Sequence, residues 1–188
     1  MPVSLDAGNT VYDRRYKTGN WYSNNSHAGA TSTVSASLNA ARFVPITFTR
    51  KVLLDRIGCE VTTTGGVGCL LRLGIYKDSG YGEPDELLLD AGTVNGNAST
   101  GTKAITISQI VGRGLYWLVV AGQGGTAATI RAFNVTGSGQ PNITSTSQLT
   151  TQIYQQYIQS SGVSGALPST VSGSVNSNSP PRIQVRIG

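Results

Sequence analysis

Between Phe43 and Val135 the chain keeps repeating one unit, an apolar or β-branched run closed by a short break of Gly, Asp, Asn, Ser or Pro. The runs are Phe43 to Thr49, Val52 to Thr62, Cys69 to Tyr76, Leu87 to Val94, Lys103 to Ile110, Leu115 to Ala121 and Ala128 to Val135. Strand-sized runs at this spacing, joined by turns too short for helical crossovers, restrict the chain to an all-β, antiparallel sandwich. Strict alternation in Lys103-Ala104-Ile105-Thr106-Ile107-Ser108 and in Ala128-Thr129-Ile130-Arg131-Ala132-Phe133 gives each strand one buried and one solvated face.

The stretch from Cys69 to Gly92 organises the rest. Leu71, Leu73 and Ile75 share one strand face and Arg72 takes the other, so a second sheet is expected to cover the apolar side. Asp78-Ser79-Gly80, Gly82 and Pro84 then break the run before Leu87-Leu88-Leu89 starts the next strand. Gly112-Arg113-Gly114 turns the chain into Leu115-Tyr116-Trp117-Leu118-Val119-Val120.

Around this centre, residues 1–41 read as a polar N-terminal arm that enters the sandwich, and 42–188 as the β-sandwich domain. At most one or two short helices are expected: Leu149, Ile153, Tyr154, Tyr157 and Ile158 fall at helical spacing. A long loop, 160–181, has Ala166-Leu167-Pro168 as its one expected anchor, and an alternating strand closes the domain at 182–187.

With 188 residues, the chain is long enough for one substantial core. Its formal charge of +5 suggests nucleic acid, but the basic residues are scattered and never exceed two in a row, so no nucleic-acid partner is expected. Arg72, Arg131, Arg182 and Arg186 lie within strand runs and read as a solvated or subunit-facing side of a sheet. Met1-Pro2-Val3-Ser4-Leu5-Asp6 lacks a basic segment followed by an apolar one, and no run approaches membrane-spanning length. The expectation is a chain made in the cytoplasm, with no signal peptide and no membrane contact. The N-x-Ser/Thr matches at Asn24, Asn97, Asn134 and Asn142 are then accidents of composition.

Reactive chemistry is sparse. The single histidine, His27, sits in a polar stretch of the arm, which leaves no base for a serine or cysteine nucleophile. Asp78, Glu83, Asp85, Glu86 and Asp90 crowd the central loop; they read as turn formers, with glycosidase carboxylates and a Ca²⁺ loop out of EF-hand order as the sharper alternatives. Gly122-Gln123-Gly124-Gly125 has no helix and no Lys-Ser/Thr after it, so it reads as a hairpin turn rather than a phosphate cradle. No catalytic residue, metal ligand or cofactor is expected. Cys59 and Cys69 bracket a hairpin signal; a register placing them opposite each other pairs Ile57 with Leu71 and turns both thiols inward, as buried thiols or as a cross-strand disulfide. Candidate ligand or host contacts are Trp21, Tyr22 and Tyr81. Tyr12, Arg14, Arg15 and Tyr16, where cationic and aromatic groups interleave, are the candidate assembly arm.

The segments Arg72-Leu73-Gly74-Ile75-Tyr76-Lys77-Asp78, Gly82-Glu83-Pro84, Leu87-Leu88-Leu89-Asp90-Ala91-Gly92-Thr93-Val94 and Gly114-Leu115-Tyr116-Trp117-Leu118 together resemble a domain of tailed-bacteriophage virion proteins. Proteins carrying it are generally labelled tail fibre, minor tail or minor structural proteins. The likeness covers about residues 42 to 187. It implies a jelly-roll-like β-sandwich on the outside of a virion, often a homotrimer, with no catalytic residues to transfer. The resulting expectation is a non-enzymatic tail- or head-fibre protein displaying loops for host attachment. Its partners would be itself, other capsid or tail proteins and a host surface glycan. A capsid decoration protein and a cellular carbohydrate-binding module are the alternatives.

Overall fold

The computed structural model describes residues 16–23, 31–133, 156–159, 162–176 and 179–188. Among these the structure is all β, with strands β1 (Trp21–Ser23), β2 (Thr31–Ser35), β3 (Ala41–Phe48), β4 (Val52–Thr63), β5 (Leu70–Asp78), β6 (Pro84–Asn95), β7 (Gly101–Val111), β8 (Gly114–Gln123), β9 (Thr129–Phe133), β10 (Gln156–Gln159), β11 (Ser174–Asn176) and β12 (Ile183–Ile187). They form two antiparallel sheets packed face to face. The first runs β1-β12-β4-β9-β2 with β7 on β4, and the second runs β11-β10-β3-β8-β5-β6. From β2 to β9 the chain changes sheet at every connection except the β5–β6 hairpin. The neighbour sets that result, β2-β9-β4-β7 and β3-β8-β5-β6, are those of an eight-stranded jelly roll.

β4 is the spine of the first sheet. It pairs with β7 from Val52 to Val61, with β12 from Leu54 to Cys59, and with β9 from Val61 to Thr63. Its inward residues Leu54, Ile57, Cys59 and Val61 meet Val44, Ile46 and Phe48 of β3, Leu71, Leu73 and Ile75 of β5, and Leu118 and Val120 of β8. The period-two pattern in these runs therefore does place one apolar row on each facing side.

Gly65 and Gly66 carry the chain from the first sheet to the second rather than through a hairpin, so β4 and β5 never pair and the expected Ile57–Leu71 register does not form. Ile57 instead lies opposite Ile105 and Val185, and Leu71 opposite Val94 and Gly122. Both cysteines are buried and free. Cys59 faces the core from β4, where burial pushes its thiol up to about 12. Cys69 is enclosed by glycine backbone: its N–H donates to the Gly66 carbonyl, its carbonyl accepts from Gly96 N–H, and a Cβ at Gly65 or Gly96 would collide with its sulfur. The glycines at 124 and 125 also serve a sheet-to-sheet connection, β8 to β9, and not a hairpin.

A second, smaller core lies on the outer side of the second sheet. Phe43, Tyr76, Trp117, Val119 and Ala121 point away from the sandwich and are covered by the segment carrying Val163 and Leu167. Leu167 fits over Gly74, where any Cβ would meet Leu167 Cδ1 and stand 2.6 Å from the Leu89 carbonyl oxygen. Backbone groups of this strap are held by side chains of the sheet. Tyr76 donates its hydroxyl to the Pro168 carbonyl at 2.7 Å, Gln123 Nε2 donates to the carbonyls of Val163 and Gly165, and Asp90 accepts from Leu167 N–H at 3.0 Å. Ala166-Leu167-Pro168 is thus an anchor in fact, within what reads in sequence as a loop.

One further expectation changes. Gln156–Gln159 is a strand, β10, paired with Phe43, Arg42 and Ala41 of β3, so the helical spacing does not produce a helix there; residues 149–155 lie outside the described residues. Where the chain before residue 42 enters the sandwich, β1 pairs with β12 and β2 with β9 inside the first sheet.

Asp90 also carries a pH dependence. Burial pushes its carboxyl up, but the bonds from Arg72, from Leu167 N–H and from Gly92 N–H hold it below the ordinary carboxylate value overall. Asp55 and Glu60 are lowered as well, first by the hydrogen bonds from Arg186 and Arg131 respectively. Where folded carboxylates lie below their unfolded values, the unfolded chain binds more protons in acid. Their stabilisation is therefore complete above about pH 4 and is lost as pH falls through the lowered folded values. The expected result is a urea midpoint that drops below about pH 4, with Asp90→Asn removing part of that drop.

Candidate functional site

The most exposed large aromatic among the described residues stands on the β5–β6 turn. Tyr81 is 85% exposed. The turn beneath it is built by Asp78, as the Asp-Ser-Gly order allows: Asp78 Oδ2 accepts from Gly80 N–H at 2.8 Å and from Gly82 N–H at 3.3 Å. Ser79 N–H donates to the Glu83 carbonyl and Ser79 Oγ accepts from Tyr81 N–H. Gly80 and Gly82 have φ of 91° and 80°, a conformation that side chains disfavour, so glycine on both sides of Tyr81 lets the turn close. The second oxygen of Asp78 accepts from Trp117 Nε1 at 2.9 Å. Trp117 is fully buried on β8, so the turn is tied to the small outer core. Tyr81 is therefore an aromatic displayed on a braced loop. The Asx-turn pattern at Asp78 is legible in sequence, whereas its tether to Trp117 is not.

Of the other acidic residues near this turn, Glu86 and Asp90 are engaged separately. Lys77 pairs with Glu86 at 2.8 Å on the exposed side, and Arg72 with Asp90 at 2.8 Å under the strap. Among the described residues no three His, Cys, Asp or Glu side chains converge as a metal set.

Trp21 and Tyr22 do not form one aromatic platform. They are successive residues of β1 and face opposite ways: Tyr22 lies opposite Val185 and packs on the core, and Trp21 lies opposite Arg186 on the outside of the first sheet. Tyr16 is likewise no free arm residue. It is only 8% exposed, packs edge-on to Tyr22 with ring centroids 5.1 Å apart, and lies under Arg50, whose guanidinium carbon is 5.8 Å from the ring centroid. Its hydroxyl donates to the Thr47 carbonyl and accepts from Thr49 N–H, which stitches the incoming chain to the end of β3. Tyr12, Arg14, Arg15 and His27 lie outside the described residues.

Of the arginines in strand runs, Arg131, Arg182 and Arg186 share the outer face of the first sheet. Arg131 grips both carboxylate oxygens of Glu60, at 2.9 and 3.1 Å, and Arg182 adds a longer bond of 3.3 Å to the same carboxylate. Arg186 grips both oxygens of Asp55. Arg56, beside Arg186, donates to the Thr106 hydroxyl at 2.9 Å.

Compared with protein-family models and with curated proteins, the chain matches none.

Proposed function

We propose that this chain is a non-enzymatic surface protein of a tailed-bacteriophage virion, of tail- or head-fibre type, that assembles with copies of itself and presents loops to a host surface glycan. The observation that carries this reading is the braced display of Tyr81. An aromatic ring 85% exposed contributes nothing to the core, and a turn held by Asp78 and Trp117 presents it with little ordering entropy left to lose on binding. Tyrosine suits sugar contact, with a stacking face and a hydroxyl that both donates and accepts. The jelly-roll architecture and the resemblance of the Leu-Gly-Ile-Tyr and Leu-Tyr-Trp-Leu strands to virion domains support the same reading.

The test is binding of purified protein to cells of the host strain. Tyr81→Ala is expected to leave the melting temperature within what about 0.5 kcal/mol allows, as for other exposed sites, while cell binding falls at least about tenfold. Unchanged binding would refute attachment through this loop. Rebinding to undecorated capsids that fails when residues 1–15 are deleted, leaving Tyr16 and β1 in place, would favour a decoration role instead.

A further inference from the structure

We propose that the outward face of the first sheet carries a second, independent site: a shallow trough for an anionic oligosaccharide, crossing strands β1, β12, β4 and β7. Residues directly opposite one another in an antiparallel ladder share a face, so the register defines the rows. One row reads Trp21, Arg186, Arg56, Thr106. The next reads Ser23, Gln184, Gly58, Ala104. The third bank is Glu60 opposite Thr102, with Arg131 and Arg182 bound to Glu60. Large side chains thus flank a row whose members are small except for Gln184.

Strand geometry sets the dimensions. Arg56 and Glu60 are four positions apart on β4, which separates the two banks by roughly 13 Å, and four strands give the trough a length of roughly 14 Å. That is room for a short oligosaccharide lying across the strands.

The chemistry of the banks selects the ligand. Four guanidinium groups (Arg56, Arg131, Arg182, Arg186) face two carboxylates (Asp55, Glu60), which leaves the face net positive. Arg131 and Arg186 are each matched by a two-oxygen grip, while Arg182 makes one 3.3 Å bond to a shared carboxylate and Arg56 binds a hydroxyl. The last two retain donors for a carboxylate or phosphate group, one on each bank. Trp21 supplies a ring against which a sugar can stack, and Ser23 and Gln184 supply hydroxyl and amide groups along the floor. The floor between the banks offers a peptide no apolar socket, and its polar and charged lining suits a sugar; the open edges of β1 and β7 lie at the two ends of the trough, outside its floor. The inference does not rest on the Tyr81 loop, which lies on the second sheet.

The experiment is isothermal titration of the intact chain with an oligogalacturonate of about five sugars, a glycerol-phosphate oligomer of similar length, a neutral malto-oligosaccharide and a polyglutamate peptide. The expected result is that at least one of the two anionic probes other than the peptide binds, more weakly as salt rises, and which of them does so separates carboxylate from phosphate recognition. That affinity is expected to fall about tenfold or more in both Trp21→Ala and Arg56→Gln, and to be unchanged in Tyr81→Ala. Arg56→Gln keeps the test sound if Trp21→Ala proves unstable. Equal binding of the neutral sugar, tighter binding of polyglutamate, indifference to Arg56→Gln, or no binding of either anionic probe would overturn the proposal.

Discussion

Trp117→Ala is expected to be the most damaging side-chain truncation in the protein, lowering stability by about 3–5 kcal/mol. Trp117 is fully buried, packs in the outer core with Phe43, Tyr76, Val119 and Leu167, and leaves a void that the strap cannot collapse into without giving up its bonds to Tyr76, Gln123 and Asp90. The same substitution removes the indole donor from Asp78 and so loosens the turn under Tyr81. Trp117→Phe separates the two effects. It keeps most of the volume and loses the N–H, so it should cost less stability yet still increase hydrogen exchange at Gly80 and Gly82. Chemical denaturation followed with amide exchange checks both outcomes; a Trp117→Ala variant within about 1 kcal/mol of the parent would contradict the packing described.

Gly122→Ala is expected to cost about 3 kcal/mol or more for a single added methyl group, at the severe end for overpacking. A Cβ at this position would be driven into the Ala36 carbonyl, with the Ser37 carbonyl oxygen 3.0 Å away. Those are backbone atoms that cannot rotate aside. The chain is held there because Asn39 N–H donates to the Gly122 carbonyl at 2.7 Å and Leu38 bridges to Gly122 in the parallel sense. Gly82→Ala makes a useful contrast, since its Cβ would meet nothing within 4 Å and the penalty comes from a φ of 80° alone, about 1 kcal/mol. Thermal melts of the two variants should therefore differ widely.

The strands that carry the core were legible because their alternation is written in large apolar residues. Leu71, Leu73 and Ile75 face inward as the pattern requires. Leu167, an isolated Leu-Pro in a polar segment, stood out for the same reason. What periodicity cannot convey is the sheet to which a strand belongs. The turn after β4 looks the same whether the chain doubles back or crosses over, and that decided the fate of the expected Cys59–Cys69 pairing. β1 and β2 were missed because short runs such as Thr31-Ser32-Thr33-Val34-Ser35 bury little and depend on partners far away in sequence, while β10 fell within a run of helical spacing. Of the site residues, Tyr81 was visible as an aromatic between two turn glycines. The opposite orientations of Trp21 and Tyr22 follow only once β1 is known to be a strand, and the burial of Tyr16 only once its docking at Phe48 is seen.

The way β4 is flanked has a consequence for how the protein is made. Over Leu54 to Cys59, the neighbour that completes its edge is β12, from the far end of the sequence. On a ribosome adding about 5–20 residues per second, Ile57 emerges roughly 6 to 25 s before Val185 can reach it. During that interval the edge of β4 that β12 will cover presents unpaired backbone N–H and C=O groups. Closure of this edge is thus a late event in sequence order, waiting for Val185 and its neighbours to emerge.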